Sequence, residues 1–273
     1  MSSTIHSGYF APLAIIKHRF LLHQLIRRDV LGRYKGSWLG LLWSFFNPLL
    51  MLFVYTFFFT VVFKAKWGTD ASGNRAEFAI FAFVGILVHG LAAECINRAP
   101  GLITGHQNYV KKVVFPLEIL PMVSLGTALF HCGVSVVVLT LVQIMLGAPL
   151  HFTAFLFPLV LLPLVLLILG VSWFLASLGV FIRDVGQVTG LVMTILLFIS
   201  PVFFPVSAMP EGFRKWLEFN PLAAVIENAR AVLLMGVVPD PRQWAFACLI
   251  SLGVAWLGFW WFEKTKRGFA DVL

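Results

Sequence analysis

Charge is scarce in this chain. Only 12% of its 273 residues are charged, while 60% are apolar. A soluble domain carries about 45–50% apolar and about 25% charged residues. A water-exposed globular fold is therefore excluded, and an integral membrane protein is implied. Cysteine is scarcer still. Cys95, Cys132 and Cys248 each lie in or beside an apolar run, with no CxxC spacing. They read as inert buried thiols, and neither a zinc site nor a disulfide framework is implied. No GxxxxGK[ST] phosphate loop occurs, which excludes nucleotide hydrolysis of the usual kind by this chain. No HExxH, paired-carboxylate or Ser-His-Asp pattern stands out, and no metal site is expected. The few charges within apolar runs argue against an ion pump or proton-coupled carrier, which needs several. Alternating ten-residue segments of a β-barrel are also missing. Met1–Ile16 has no charged n-region and no small-residue cleavage site, so no cleaved signal peptide is expected.

What remains is all-α. Residues 17–34 pattern as an amphipathic helix. Leu22, Leu25 and Ile26 share one face, flanked by Leu21 and Val30. Arg19, His23, Arg27 and Arg28 share the other. Such a helix lies in the membrane plane, its basic face toward anionic headgroups. Six apolar runs follow, at about 39–63, 78–97, 119–146, 152–182, 185–206 and 244–262. Each is long enough to cross a hydrocarbon core of roughly 30 Å. Asn47-Pro48 interrupts the first. Pro158 and Pro163 lie near the start of the fourth, and Pro201 and Pro205 near the end of the fifth. One membrane domain over 1–273, a six-span channel-like subunit, is expected.

Lysine and arginine set the orientation. With the N-terminus inside, thirteen of the twenty fall in inner segments and seven in outer ones. Six spans then put both termini in the cytoplasm. The polar stretch Arg98–Pro121 also falls inside. It carries Arg98, Lys111 and Lys112 against one acid, Glu118, with three prolines and two glycines. It cannot face lipid, where each unpaired polar group costs several kcal/mol. It is either a solvated loop or a docking element for a soluble partner. Arg183-Asp184 forms a tight inner turn between runs four and five, and a second contact with that partner is one role open to it.

Outside, 207–243 reads as a re-entrant or interfacial hairpin. Glu211–Phe219 is amphipathic, with Trp216 on its apolar side. Asn220-Pro221 reads as an N-cap and first-turn proline. The helix beyond stops at Gly236, and Glu227 and Arg230 are spaced to pair. This hairpin marks the outer mouth of a pathway. Within the spans, Glu94 is either a functional acid or the partner of Arg98. His89 and His131 are expected to make interhelical hydrogen bonds.

Five stretches together resemble a family. They are Arg33–Phe59, Asn108–Pro121, Phe181–Val185, Phe219–Gly236 and Lys266–Leu273. In this order they are similar to the type-2 ABC transporter permeases that export polysaccharides, in the O-antigen and teichoic-acid branch. The resemblance implies a homodimer with two copies of a separate ABC ATPase, in a bacterial cytoplasmic (inner) membrane. No cofactor is implied in this chain, because ATP and Mg bind the partner; it is then a transport subunit, not an enzyme. Within 98–118, the implied coupling element contains Gly101, Gly105, His106, Gln107, Asn108, Tyr109, Lys111 and Lys112, joined by Arg183 and Asp184. Arg27, Arg28, Arg33 and Lys35 are placed to attract a lipid diphosphate. The implied outer gate contains Trp216, Asn220, Pro221, Glu227 and Arg230. The implied substrate is a polysaccharide on a polyprenyl diphosphate, with membrane lipids as further partners and no nucleic acid. Teichoic acid, a capsule or a drug are alternatives within the class. A polyprenyl-phosphate-dependent transferase is the rival outside it.

Overall fold

The computed structural model describes residues 18–58, 75–111 and 115–273. No strand occurs among them. α1 (Arg19–Tyr34) is followed by a 3-10 turn at Gly40–Leu42 and α2 (Trp43–Thr56). α3 (Arg75–Arg98) leads into two short helices, α4 (Gly101–Thr104) and α5 (Gln107–Lys111). Then come α6 (Ile119–Met145), α7 (Phe157–Phe181) and α8 (Val185–Ile199). α9 (Glu211–Glu218) and α10 (Pro221–Arg230) form the hairpin, and α10 runs on as a π turn to Met235. α11 (Pro241–Thr265) and α12 (Phe269–Val272) close the chain.

Four helical stretches are long and apolar enough to cross a membrane: Phe78–Arg98, Ile119–Met145, Phe152–Phe181 and Pro241–Val272. Gly40–Thr56 and Val185–Ile199 are shorter apolar helices. The fifth run ends as helix at Ile199, short of the expected 206. Ser200 precedes Pro201 and takes the extended conformation that a following proline imposes (ψ 155°). Pro48, by contrast, does not break α2. It forfeits one backbone hydrogen bond, and the helix runs through it.

α1 turns the expected apolar face onto the protein. Leu25 and Val30 are buried, and Leu21, Leu22 and Ile26 pack against the core. Arg19, His23, Arg27 and Arg28 stay exposed. α7 and α11 cross with their backbones in close approach. A Cβ on Gly258 would lie 2.0 Å from the Gly170 carbonyl oxygen, and one on Gly170 would lie 2.5 Å from that of Val254. Small residues at such a crossing let backbones touch, which drives helix association in lipid. Gly258→Ala is expected to destabilise the fold by about 1–3 kcal/mol, the usual range for overpacking. Gly253→Ala, with open space around it, should leave thermal unfolding in detergent unchanged. Equal unfolding temperatures for the two variants would contradict the crossing.

Candidate functional site

α3 ends at Arg98, and the chain turns at once along the end of α7. The contact is backbone on backbone: a Cβ on Gly179 would fall 2.2 Å from the Pro100 carbonyl oxygen. Leu102 and Ile103 are buried and anchor α4. Gly101, Gly105, Gln107 and Asn108 are exposed. α4 and α5 are thus a short element with a buried underside and an open top. His106 stacks on Tyr109 (5.4 Å between ring centroids), and Tyr109 on Phe115 (4.3 Å). Lys111 closes α5, while Lys112 lies outside the described residues. Arg183 and Asp184 are exposed at the α7–α8 turn, one helical turn beyond Gly179. The two candidate docking pieces therefore lie at the same end of α7.

The C-terminal end, to which the sequence assigned no site residue, buttresses this element. Lys266 pairs with Glu118, whose carbonyl accepts the Trp173 indole N–H at 2.9 Å. Phe269 is fully buried, with its ring against those of Phe181 and Phe262.

A second link joins the element to α1. Arg28 donates to the Tyr109 hydroxyl at 2.8 Å. Arg98 grips Asp29 with two parallel bonds of 2.9 Å, the strong fork geometry of guanidinium and carboxylate. Arg33 reaches Glu94 at 2.5 Å and lies 4.0 Å from Asp29. His131 Nδ1 donates to Glu94 at 2.9 Å, leaving Nε2 to accept the Tyr34 hydroxyl at 3.0 Å. Burial alone would raise the Asp29 pKa, but the Arg98 bonds and charge outweigh it and hold the carboxyl below its ordinary value. Glu94 therefore pairs with Arg33 and His131, not with Arg98 one turn away. Of the four residues assigned to a lipid diphosphate, Arg33 is committed to carboxylates and Arg28 to Tyr109. Arg27 and Lys35 remain exposed.

The hairpin sits at the opposite end of α3, roughly 25 Å away at 1.5 Å per residue. Asn220 caps α10 by accepting the Leu222 amide, and its own amide nitrogen donates to Ser200. Pro221 occupies the first turn. Gly236 ends the helix in the left-handed conformation (φ 70°), as glycine there allows. Trp216 is 77% exposed. Arg230 is fully buried. It donates to the Phe81 carbonyl at 3.0 Å, the Val202 carbonyl at 2.8 Å and Glu227 at 2.7 Å. Three segments thereby meet at one guanidinium.

The polar residues a transferase would use have separate partners. His89 donates to the Met193 carbonyl at 2.9 Å, Glu94 holds Arg33 and His131, and Asp184 is exposed at its turn. No group of three or more metal-ligating side chains occurs among the described residues.

Known proteins are similar in sequence along nearly the whole chain. The chain is 27% identical over 259 residues to the O-antigen export system permease protein RfbA of Myxococcus xanthus, covering 94% of this chain and 96% of the relative. It is 26% identical to the protein of the same name from Klebsiella pneumoniae, over 93% and 95% of the two chains. It is 25% identical to the polysialic acid transport protein KpsM of Escherichia coli, over 86% and 89%. The sequence pattern of the ABC-2 type transporter family matches residues 20–234, most of the chain, and the protein belongs to that family.

Proposed function

We infer that this chain is the membrane permease subunit of an ABC transporter that exports a lipid-linked, O-antigen-like polysaccharide. The observation that carries this is its near end-to-end similarity to two O-antigen export permeases. A separate ATPase, holding ATP and Mg, supplies the energy. The family membership supports such a partner, and the open top of α4–α5 gives it a place to sit. Exposed apolar residues on α2 (Phe46, Leu50, Phe53) and α8 (Leu191, Ile195, Phe198) favour a homodimer with two ATPase copies. In that assembly α2 and α8 join the four long helices as spans, giving six. Both termini then face the cytoplasm of a bacterial inner membrane. Single-domain organisation over 1–273 follows from the same reading, with 98–118 as the coupling segment and 207–243 as the outer gate.

In this mechanism nucleotide closure in the partner pushes on Gly101–Lys112 and on Arg183-Asp184. α7, bearing the element through Gly179, passes the movement toward the hairpin, and the glycan crosses at the dimer interface. The chain's own part is mechanical. Charge reversal at Lys111 and Lys112 is expected to lower ATPase co-purification and surface glycan together, by at least about tenfold, the scale of losing charge-assisted contacts. Survival of both would defeat the docking assignment.

A further inference from the structure

A cavity of about 430 Å³ lies between α1, the end of α3, α4 and α6. Arg28, Arg33 and Arg98 line it, with His106 beside them and Asp29 as its one carboxylate. Asp29 balances Arg98, and Glu94, just outside the lining, balances Arg33, so Arg28, whose bond is to the neutral Tyr109 hydroxyl, leaves the lining cationic by one charge. Each arginine makes a bond described above, but none uses all five of its N–H donors in those bonds. Leu25, Leu102, Leu120 and Val123 form the rest of the wall. Ser124 also lines it. The residue is 2% exposed, and its buried hydroxyl has no hydrogen-bond partner among the described residues. A buried hydroxyl is rarely left unpaired, because desolvating it without return is costly. The cavity therefore combines surplus positive charge, an unmet polar group and an apolar wall.

That combination fits a phosphate ester attached to hydrocarbon better than it fits a free ion. A lone phosphate would use the arginines and Ser124 but not the leucines, and the space is too large for it. We propose that this cavity binds the headgroup of a resident anionic phospholipid, with the phosphate toward the arginines and the glycerol end along the leucines. The lipid would brace α1 against the docking element, since Leu102 and His106 belong to that element and Arg28 already bonds Tyr109. The proposal does not depend on what the chain exports.

Native mass spectrometry of the full purified chain tests it, with phosphatidylglycerol, phosphatidylcholine and inorganic phosphate as probes. One phosphatidylglycerol should be retained per chain, and phosphatidylcholine should be lost more readily. Arg28→Gln should weaken retention by about tenfold, as loss of a charged donor predicts. Ser124→Leu, which fills the cavity, should do the same. Arg19→Gln removes the same charge from the exposed face of α1 and should change nothing. Equal loss in the Arg19 and Arg28 variants would reduce the effect to general surface charge and overturn the site. Equal retention of phosphatidylcholine would overturn the preference for an anionic headgroup. Displacement of the lipid by an equal concentration of phosphate would overturn the lipid assignment in favour of a free ion.

Discussion

Arg230→Met is expected to abolish recovery of folded protein. Burying a guanidinium costs several kcal/mol, and only specific partners offset that. Arg230 has them in the Phe81 and Val202 carbonyls and the Glu227 carboxylate. Methionine fills a similar volume but donates nothing. It would strand two carbonyls, one of them on Val202, itself fully buried. Breaking one side of a buried charged network costs about 3–5 kcal/mol, against a total stability of about 5–15 kcal/mol for a typical domain. Arg230→Lys should fail nearly as badly, because a single ammonium cannot reach carbonyls on two segments and a carboxylate in the same fork. Glu227→Gln should be the least severe of the three but still destabilising, because the buried guanidinium keeps an acceptor there and loses its counter-charge. The Glu227 side chain is 40% exposed, and its amide oxygen can still accept. Gel filtration and thermal unfolding in detergent should rank the three in that order. A monodisperse Arg230→Met protein with an unchanged unfolding temperature would end the idea that Arg230 fastens the hairpin to α3.

The hairpin itself was legible because its signals are local. Asn220-Pro221 and Gly236 act within one turn of their own positions, and Glu227 and Arg230 are three apart. The burial of Arg230 was not legible, since Phe81 and Val202 reach it from 149 and 28 residues away. The same divide runs through the other end of the molecule. The face of α1 follows from its periodicity alone. Spacing also made Arg98 the natural partner for Glu94, but packing brought Arg33 and His131 closer to that acid and gave Arg98 to Asp29. No periodicity could announce Lys266 on Glu118, 148 positions apart. Proline was readable only where its constraint falls on its neighbour. Pro201 forces Ser200 into the extended conformation and ends α8, whereas Pro48 stays inside α2 at the loss of one hydrogen bond.

Gly179→Leu is expected to uncouple the permease while leaving it folded. Any Cβ at this position meets backbone, 2.2 Å from the Pro100 oxygen and 2.7 Å from its Cα, so no side chain can rotate out of the way. Either α7 or the start of the docking element must move. α7 is fastened along its length by the Gly170–Gly258 crossing, the Trp173 bond to Glu118 and the Ser177 bond to Thr265 at 2.7 Å. α4 has four residues and is held by two buried side chains and its flanking turns. The softer partner is α4, and it should lift off α7 together with α5. Because α4 can lift, the overlap is relieved locally and the cost to the fold stays below the about 1–3 kcal/mol of overpacking between fixed helices, too little to unfold a domain of typical stability. The functional cost is larger, since the displaced element is the proposed seat of the motor. Reconstituted with its ATPase, the variant should export at least about tenfold less glycan, the scale that angstrom-sized misplacement carries in a positioned system. Its unfolding temperature should stay near that of Gly253→Ala. Should Gly179→Leu instead unfold as readily as Gly258→Ala, then α7 and the docking element yield together, and movement at the motor would reach the spans directly through Gly179.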